Sequence, residues 1–246
     1  MPLKIEIFVL IPFLSIGCTS TPLVAQPEKN EYVLLLHGLS RSRFSMYFLG
    51  AYLQDQGFKV LNIGYPSTKY PIEQLVKNVA EQIKKGGIES ANKIHFVTHS
   101  LGGIITRLYL KENQPENLGR VVMLSPPNQG SELTDSLKNN VLYQWITGPA
   151  GQQLGTEPSS MPNQLGTVNF ELGVITGNTF DPVFSHLIPG DNDGKVSVKR
   201  AQVEGMKDFL VVSHSHSFIM NSRFVREQIV YFLDNAQFRR LPKVTE

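Results

Sequence analysis

The stretch Phe96-Val97-Thr98-His99-Ser100-Leu101-Gly102-Gly103 decides the fold. A mainly apolar run, Ile94 to Val97, enters it, and an apolar helical run with Ile104, Ile105, Leu108 and Leu110 leaves it. Ser100 therefore sits where a buried strand turns sharply into a helix. Such a turn pushes the hydroxyl out of the backbone and aims the first free amides of the helix at whatever it attacks. A serine needs that help, because its free hydroxyl is a poor nucleophile at neutral pH. Gly102 lets the turn close tightly, and Gly103 lets the helix pack near the sheet. The pattern departs from the G-x-S-x-G nucleophile elbow at one position. Thr98 replaces the first glycine, and its β-branch is expected to open the elbow slightly. The competing reading is an ordinary strand-to-helix turn with a capping serine.

Upstream, Tyr32-Val33-Leu34-Leu35-Leu36 is the continuous apolar run of a strand covered on both faces, and it ends in His37-Gly38-Leu39-Ser40. A helix is expected over Phe44 to Leu53 with Ser42 as its cap, then a strand from Phe58 to Ile63. Ile72, Leu75, Val76, Val79, Ala80 and Ile83 share one face of an amphipathic helix that Gly86-Gly87 stops. Downstream, Arg120 to Leu124, Phe170 to Thr176 and Phe209 to Val212 read as strands, and Asn221 to Asp234 as the final helix, capped by Asn221 or Ser222. Residues 132–168 lose this rhythm. They read as an inserted cap with two short helices, around Leu133–Leu137 and Leu142–Ile146. Strands alternating with helices predict an α/β fold: a mostly parallel central sheet with helices on both faces. Chemistry in such sheets collects beyond the carboxyl ends of the strands.

The N-terminus reads differently. Met1-Pro2-Leu3-Lys4 is short and basic, and a mainly apolar run from Ile5 to Ile16 follows. That run is too short for a comfortable transmembrane helix and suits a signal h-region. It ends at Gly17-Cys18-Thr19-Ser20, which resembles a bacterial lipoprotein signal with Cys18 as the lipidated residue. Ser15 and Glu6 depart from that pattern, and the rivals are an ordinary signal peptide with a chance cysteine or an uncleaved apolar tail. The expected organisation is a signal and tether over 1–30, one domain over 31–238 and a tail over 239–246. Cys18 is the only cysteine among 246 residues, so no internal disulfide is available. A formal net charge of +2 without a basic stripe gives no argument for a nucleic-acid partner. The sequence leaves the oligomeric state open.

Five pieces carry a resemblance: His37-Gly38-Leu39, His99 to Gly103, Pro126 to Ser131, Asp193-Gly194-Lys195-Val196 and His216-Ser217-Phe218. In that order the chain resembles an α/β-hydrolase of the bacterial lipase and esterase type over roughly residues 31–238. The resemblance implies ester hydrolysis through an acyl-enzyme, with Ser100 as nucleophile, Asp193 as acid and His216 as base. Leu39 and Leu101 would donate backbone amides to an oxyanion hole, and His37 and His99 would be scaffold. Asp191 and Asp181 remain open as the acid. Asp193 is preferred because a glycine and a strand-like Val196-Ser197-Val198 follow it. His214 remains open as the base, because on an extended segment it shares a face with His216.

Asp191-Asn192-Asp193-Gly194 resembles half of a calcium loop but lacks the bidentate glutamate, so no metal is expected, and no cofactor motif is present. The substrate is expected to be an uncharged ester or lipid-like molecule. It would lie against Leu142, Trp145, Ile146 and Leu154 of the cap and Phe180, Val183, Phe184 and Leu187 of the following loop, without a cluster of lysines or arginines. An acyltransferase on the same triad and a catalytically silent binding or assembly lipoprotein are the alternatives. The expected location is the cell envelope, lipid-anchored, in the outer membrane of a Gram-negative host because Thr19 is not aspartate. A secreted or periplasmic protein is the alternative.

Overall fold

The computed structural model describes residues 29–240. Cys18, with the expected signal and anchor, lies outside the described residues. Six strands form one sheet: β1 (Glu31–Leu36), β2 (Lys59–Ile63), β3 (Lys93–His99), β4 (Leu118–Leu124), β5 (Leu172–Gly177) and β6 (Asp208–Val212). They lie side by side in the order β2-β1-β3-β4-β5-β6, and every neighbouring pair is parallel. The chain steps outward from β1 to β2, then crosses back to β3 on the other side of β1. The winding direction therefore reverses between β1 and β3, which opens a crevice beyond their carboxyl ends.

The helices are α1 (Tyr47–Asp55), α2 (Ile72–Lys85), α3 (Leu101–Glu112), α4 (Glu132–Leu137), α5 (Val141–Gln152), α6 (Met161–Gln164), α7 (Val198–Ala201) and α8 (Arg223–Asn235). Strand alternation sends the apolar run of β1 into two separate cores. Val33 and Leu35 pack with Met46, Leu49 and Leu53 beside α1 and with Val225, Ile229 and Phe232 of α8. Leu34 and Leu36 pack on the other face with Leu75 and Val79 of α2 and with Ile104 and Ile105 of α3. Each such side chain contributes about 1.5–3 kcal/mol on full burial. Both faces of the sheet are thereby covered, as the sequence pattern requires.

Local chemistry overrides the expectation at two places. Ser42 makes no side-chain cap, and a 3-10 turn over Arg43–Met46 precedes α1. The Ser42 carbonyl accepts both the amide and the hydroxyl of Ser45, at 3.0 and 2.8 Å, which closes that tighter turn. Val196-Ser197-Val198 is not a strand: the Ser197 hydroxyl accepts the Arg200 amide at 3.3 Å and starts α7. A capping serine outweighs the β-propensity of its two valine neighbours. Ser222 caps α8 by accepting the Val225 amide at 3.4 Å.

Between β4 and β5 the chain forms α4, α5 and α6. Helix α5 runs on to Gln152, past a kink at Gly148 (φ 61°, ψ −167°) that precedes Pro149. Leu165 and Val168, at the end of this segment, join the core beside α3. The Arg107 guanidinium of α3 ties the same segment down by donating to the Gly166 carbonyl and to Asn128.

Candidate active site

Ser100 follows β3 and His37-Gly38-Leu39 follows β1, so the two loops face each other across the crevice where the winding reverses. Ser100 adopts φ 51° and ψ −120°, a conformation that costs a side-chain-bearing residue about 1–3 kcal/mol. Two backbone hydrogen bonds hold it there: its amide donates to Leu124 at 2.9 Å, and its carbonyl accepts from Gly103 at 2.9 Å. Thr98 stays in register with Leu36 and Met123, and its buried hydroxyl has no hydrogen-bond partner among the described residues. The close approach belongs to Gly102. A Cβ there would stand 2.6 Å from the Leu36 carbonyl oxygen, whereas one at Gly103 would meet only the side chains of Met123 and Pro126, at 3.1 and 3.2 Å.

Asp193 lies in the loop before α7, and His216 follows β6. The His216 Nδ1 is 2.9 Å from Asp193 Oδ2. The other carboxylate oxygen, Oδ1, accepts the Lys195 and Val196 amides at 3.0 and 2.9 Å, and the His216 amide donates to the Asp193 carbonyl at 2.9 Å. Asp193 and His216 are both buried. Burial pushes the Asp193 carboxyl up, but His216 and the Val196 amide outweigh it and hold the group below its usual range. The Ser125 hydroxyl adds to the same bias from outside ordinary hydrogen-bond geometry.

The rival residues are engaged elsewhere. Asp181 Oδ1 accepts the Val183 and Phe184 amides at 2.8 and 3.1 Å. Asp191 is exposed, and its carbonyl accepts the Val198 amide. The His214 amide and carbonyl bond to Val212 and Thr179, and its ring makes no hydrogen bond or ion pair with a carboxylate among the described residues.

The other two histidines brace the loops. His99 Nε2 donates to the His216 carbonyl at 2.9 Å, and the two rings lie 4.9 Å apart. Burial, and then the charge His216 can carry, hold His99 well below the ordinary imidazole range, so it stays neutral. Gly38 allows His99 to approach, since a Cβ there would lie 2.7 Å from its Nδ1. His37 stacks on Tyr65 with ring centroids 4.1 Å apart. Its Nδ1 donates to the Gly38 carbonyl and its Nε2 accepts the Tyr65 amide. Leu101 opens α3, where amides lack intrahelical acceptors. Neither its amide nor that of Leu39 has a hydrogen-bond partner among the described residues.

Ser100, His99 and His216 line a cavity of about 210 Å³. Leu133, Thr134, Tyr143, Ile146, Thr147 and Leu154 from the segment between β4 and β5 complete it, with Phe184 from the following loop. Leu142, Phe180, Val183 and Leu187, expected in the crevice, are not in its wall, and Trp145 lines the adjoining depression instead. The wall also holds Arg41 and Lys195, against the expectation that it lacks cations. A signal for both was present, since each stands two residues beyond an assigned group, Leu39 or Asp193. A wider groove of about 800 Å³ lies between the ends of α2 and α3, lined by Ile83, Ile88, Ile94 and Tyr109. Ile94 is at the start of β3, so this groove is at the opposite end of the sheet and holds none of the candidate catalytic residues.

Known proteins bear on this arrangement. A sequence model described as palmitoyl protein thioesterase matches residues 32–161, more than half of the chain. The lysosomal thioesterase PPT2 of Bos taurus is 25% identical over 165 residues, which are 60% of this chain and 53% of that protein. The chain thus spans about half the length of this curated relative. Among solved structures, the mature lipase BlEst2 of Bacillus licheniformis superposes with a TM-score of 0.68 at 18% identity, covering 87% of this chain and 94% of that one. The phospholipase PlaB of Legionella pneumophila gives 0.62 at 19% identity, over 84% of this chain and 63% of that one. These structures share the fold. The chain belongs to the palmitoyl protein thioesterase family and is built on the α/β-hydrolase fold.

Proposed function

We propose that the chain is a serine hydrolase that cleaves acyl esters and thioesters through an acyl-enzyme on Ser100. The observation that carries this reading is the 2.9 Å contact between His216 Nδ1 and Asp193 Oδ2, beside a serine held at φ 51° in the same cavity. Asp193, kept ionised, holds the proton of His216 on Nδ1, which leaves Nε2 free to accept the Ser100 proton. The Ser100 oxygen adds to the substrate carbonyl, and the Leu39 and Leu101 amides meet the resulting oxyanion. Interactions of this type contribute about 2.7–4 kcal/mol per donor. The imidazolium returns its proton to the departing alcohol or thiol as the carbon–oxygen or carbon–sulfur bond breaks. Water then repeats the addition, freeing the acid and restoring Ser100.

The apolar wall of Leu133, Ile146, Leu154 and Phe184 suits the acyl chain. A cleft of about 210 Å³ is below the common range for ligand sites of about 300–1,000 Å³, which favours short to medium acyl groups within it. In this reading the segment between β4 and β5 acts as the cap. A separate proposal is a lipid on Cys18 that anchors the enzyme at the cell envelope; what supports it is the sequence pattern Gly17-Cys18-Thr19-Ser20 after an apolar run.

The test is labelling with a fluorophosphonate probe together with release of free acid from an acyl ester. Ser100→Ala should abolish labelling and lower kcat by several orders of magnitude while the protein stays folded. Wild-type protein that neither reacts with the probe nor releases acid would support the silent-scaffold alternative. Acid release that gives way to transfer onto an added alcohol would support the acyltransferase.

A further inference from the structure

Arg41 and Lys195 stand in the wall of the cavity that holds Ser100 and His216. An adjoining depression of about 480 Å³ shares Ser40, Arg41 and Ile146 with it and adds Lys69. No aspartate or glutamate appears in the wall of either. Among the described residues, neither the Arg41 guanidinium nor the Lys195 ammonium has a hydrogen bond or an ion pair with another side chain. Lys195 is not loosely placed. Its amide donates to Asp193 Oδ1 at 3.0 Å, and its carbonyl accepts the Ser131 hydroxyl at 2.7 Å.

Lys195 is half-buried and unpaired, which is unfavourable on its own, and the exposed Arg41 adds a second positive charge to the same wall. Burial first, and then the facing Arg41, push the Lys195 ammonium down, with Asp193 and Asp181 only partly offsetting them. Asp193 is already engaged by His216 and two amides, and Asp181 by the amides of its own loop. No side chain of the wall supplies a counter-charge, and a cleft lined by one sign of charge concentrates a ligand of the other.

We propose that the substrate itself carries an anionic group, a carboxylate or a phosphate, held between Arg41 and Lys195 close to the reacting carbonyl. This rests on the serine-hydrolase reading and names the substrate class of that site: an acyl ester or thioester with a negative charge a few bonds from the scissile link. It replaces the uncharged substrate expected from the sequence.

The experiment compares soluble short-chain substrates that differ only in that charge, with no lipid present, so that attraction to an anionic lipid surface plays no part. One pair is p-nitrophenyl butyrate and p-nitrophenyl hemisuccinate. The other is the S-butyryl thioester of propanethiol and that of 3-mercaptopropionate. In at least one pair the anionic member should have the higher kcat/KM at low salt, by roughly tenfold or more. High salt should shrink that ratio, and Arg41→Gln with Lys195→Met should reduce it to near unity. Equal kcat/KM within both pairs, or a preference that survives the double variant, overturns the proposal. Binding gives a second measurement that needs no turnover. By calorimetry Ser100→Ala should bind octyl phosphate more tightly than 1-octanol, and equal affinities overturn the proposal. Neutral esters cleaved by the wild type and not by Ser100→Ala would keep the hydrolase reading even if the charge preference failed.

Discussion

At the residue scale the site turns on a buried carboxylate whose charge survives burial. Asp193 keeps it because His216 and two backbone amides are arranged around its two oxygens. Asp193→Asn preserves the shape and removes the charge, so His216 loses the group that fixes its tautomer. The expected result is a fall in kcat of about four orders of magnitude, the size found when a serine-protease triad loses this charge. Asp191→Asn and Asp181→Asn should stay within severalfold of wild type, because their side chains bond elsewhere or face solvent. His216→Ala should likewise be crippling and His214→Ala mild. Steady-state kinetics on one ester decides all five variants, and equal losses from the two histidine variants would remove the argument for His216 as base. Periodicity alone left His214 and His216 on one face. The resemblance favours His216, and the structure binds His216, through both ring and amide, to the Asp193 loop.

At the element scale the strand-turn-helix unit from β3 to α3 is the part most readable in sequence. Its spacing states both the direction change and the need for small residues. What spacing does not state is which neighbour each glycine meets. Gly102 abuts the backbone of β1, which cannot move aside, whereas Gly103 meets the flexible thioether of Met123. Gly102→Ala should therefore destabilise the fold by about 1–3 kcal/mol, the usual cost of overpacking, and Gly103→Ala by less. Urea denaturation midpoints test the order, and a reversed order would contradict the packing described. The segment between β4 and β5 was less readable, because its apolar residues carry no clean period. Trp145 and Leu142 read as pocket wall yet are exposed, while Leu133 and Tyr143 form the wall. The pairing of Arg41 with Lys195 is illegible in sequence for a different reason: they are far apart along the chain and meet only because β1 and the Asp193 loop end beside the same cavity. Ser197 escaped because a capping hydroxyl within a valine-rich triplet looks like a strand.

At the scale of the whole molecule, two predictions concern the chain rather than its chemistry. If Cys18 bears lipid, Cys18→Ser should move the protein from the membrane fraction to the soluble one or stall its processing. Mass spectrometry of an unmodified Cys18 or an intact Met1 terminus would refute the anchor. The second prediction concerns pH. His37, His95 and His99 are all buried, and in each burial is the largest influence, lowering the pKa below the ordinary imidazole value. The hydrogen bond donated to the Gly38 carbonyl opposes it at His37, and Glu31 opposes it at His95, where Lys93 and Arg120 reinforce it. In the unfolded chain each ring takes up a proton as pH falls through about 6.5, while the folded protein resists until a lower pH. Over that window the unfolded state binds more protons, so stability falls with pH, by up to about 1.4 kcal/mol per pH unit for each histidine. Asp193 extends the decline to lower pH. Its folded pKa is lowered, so its contribution is present above the free carboxyl value of about 3.9 and is lost as pH falls through the folded value. The denaturant midpoint should thus hold steady from about pH 8 to 7 and drop progressively below about 6.5. His95→Gln, which can still accept the Arg120 amide but cannot gain a proton, should make the drop shallower. A midpoint unchanged between about pH 7 and 5, or a His95→Gln profile as steep as wild type, would mean that these rings are not held neutral by the fold.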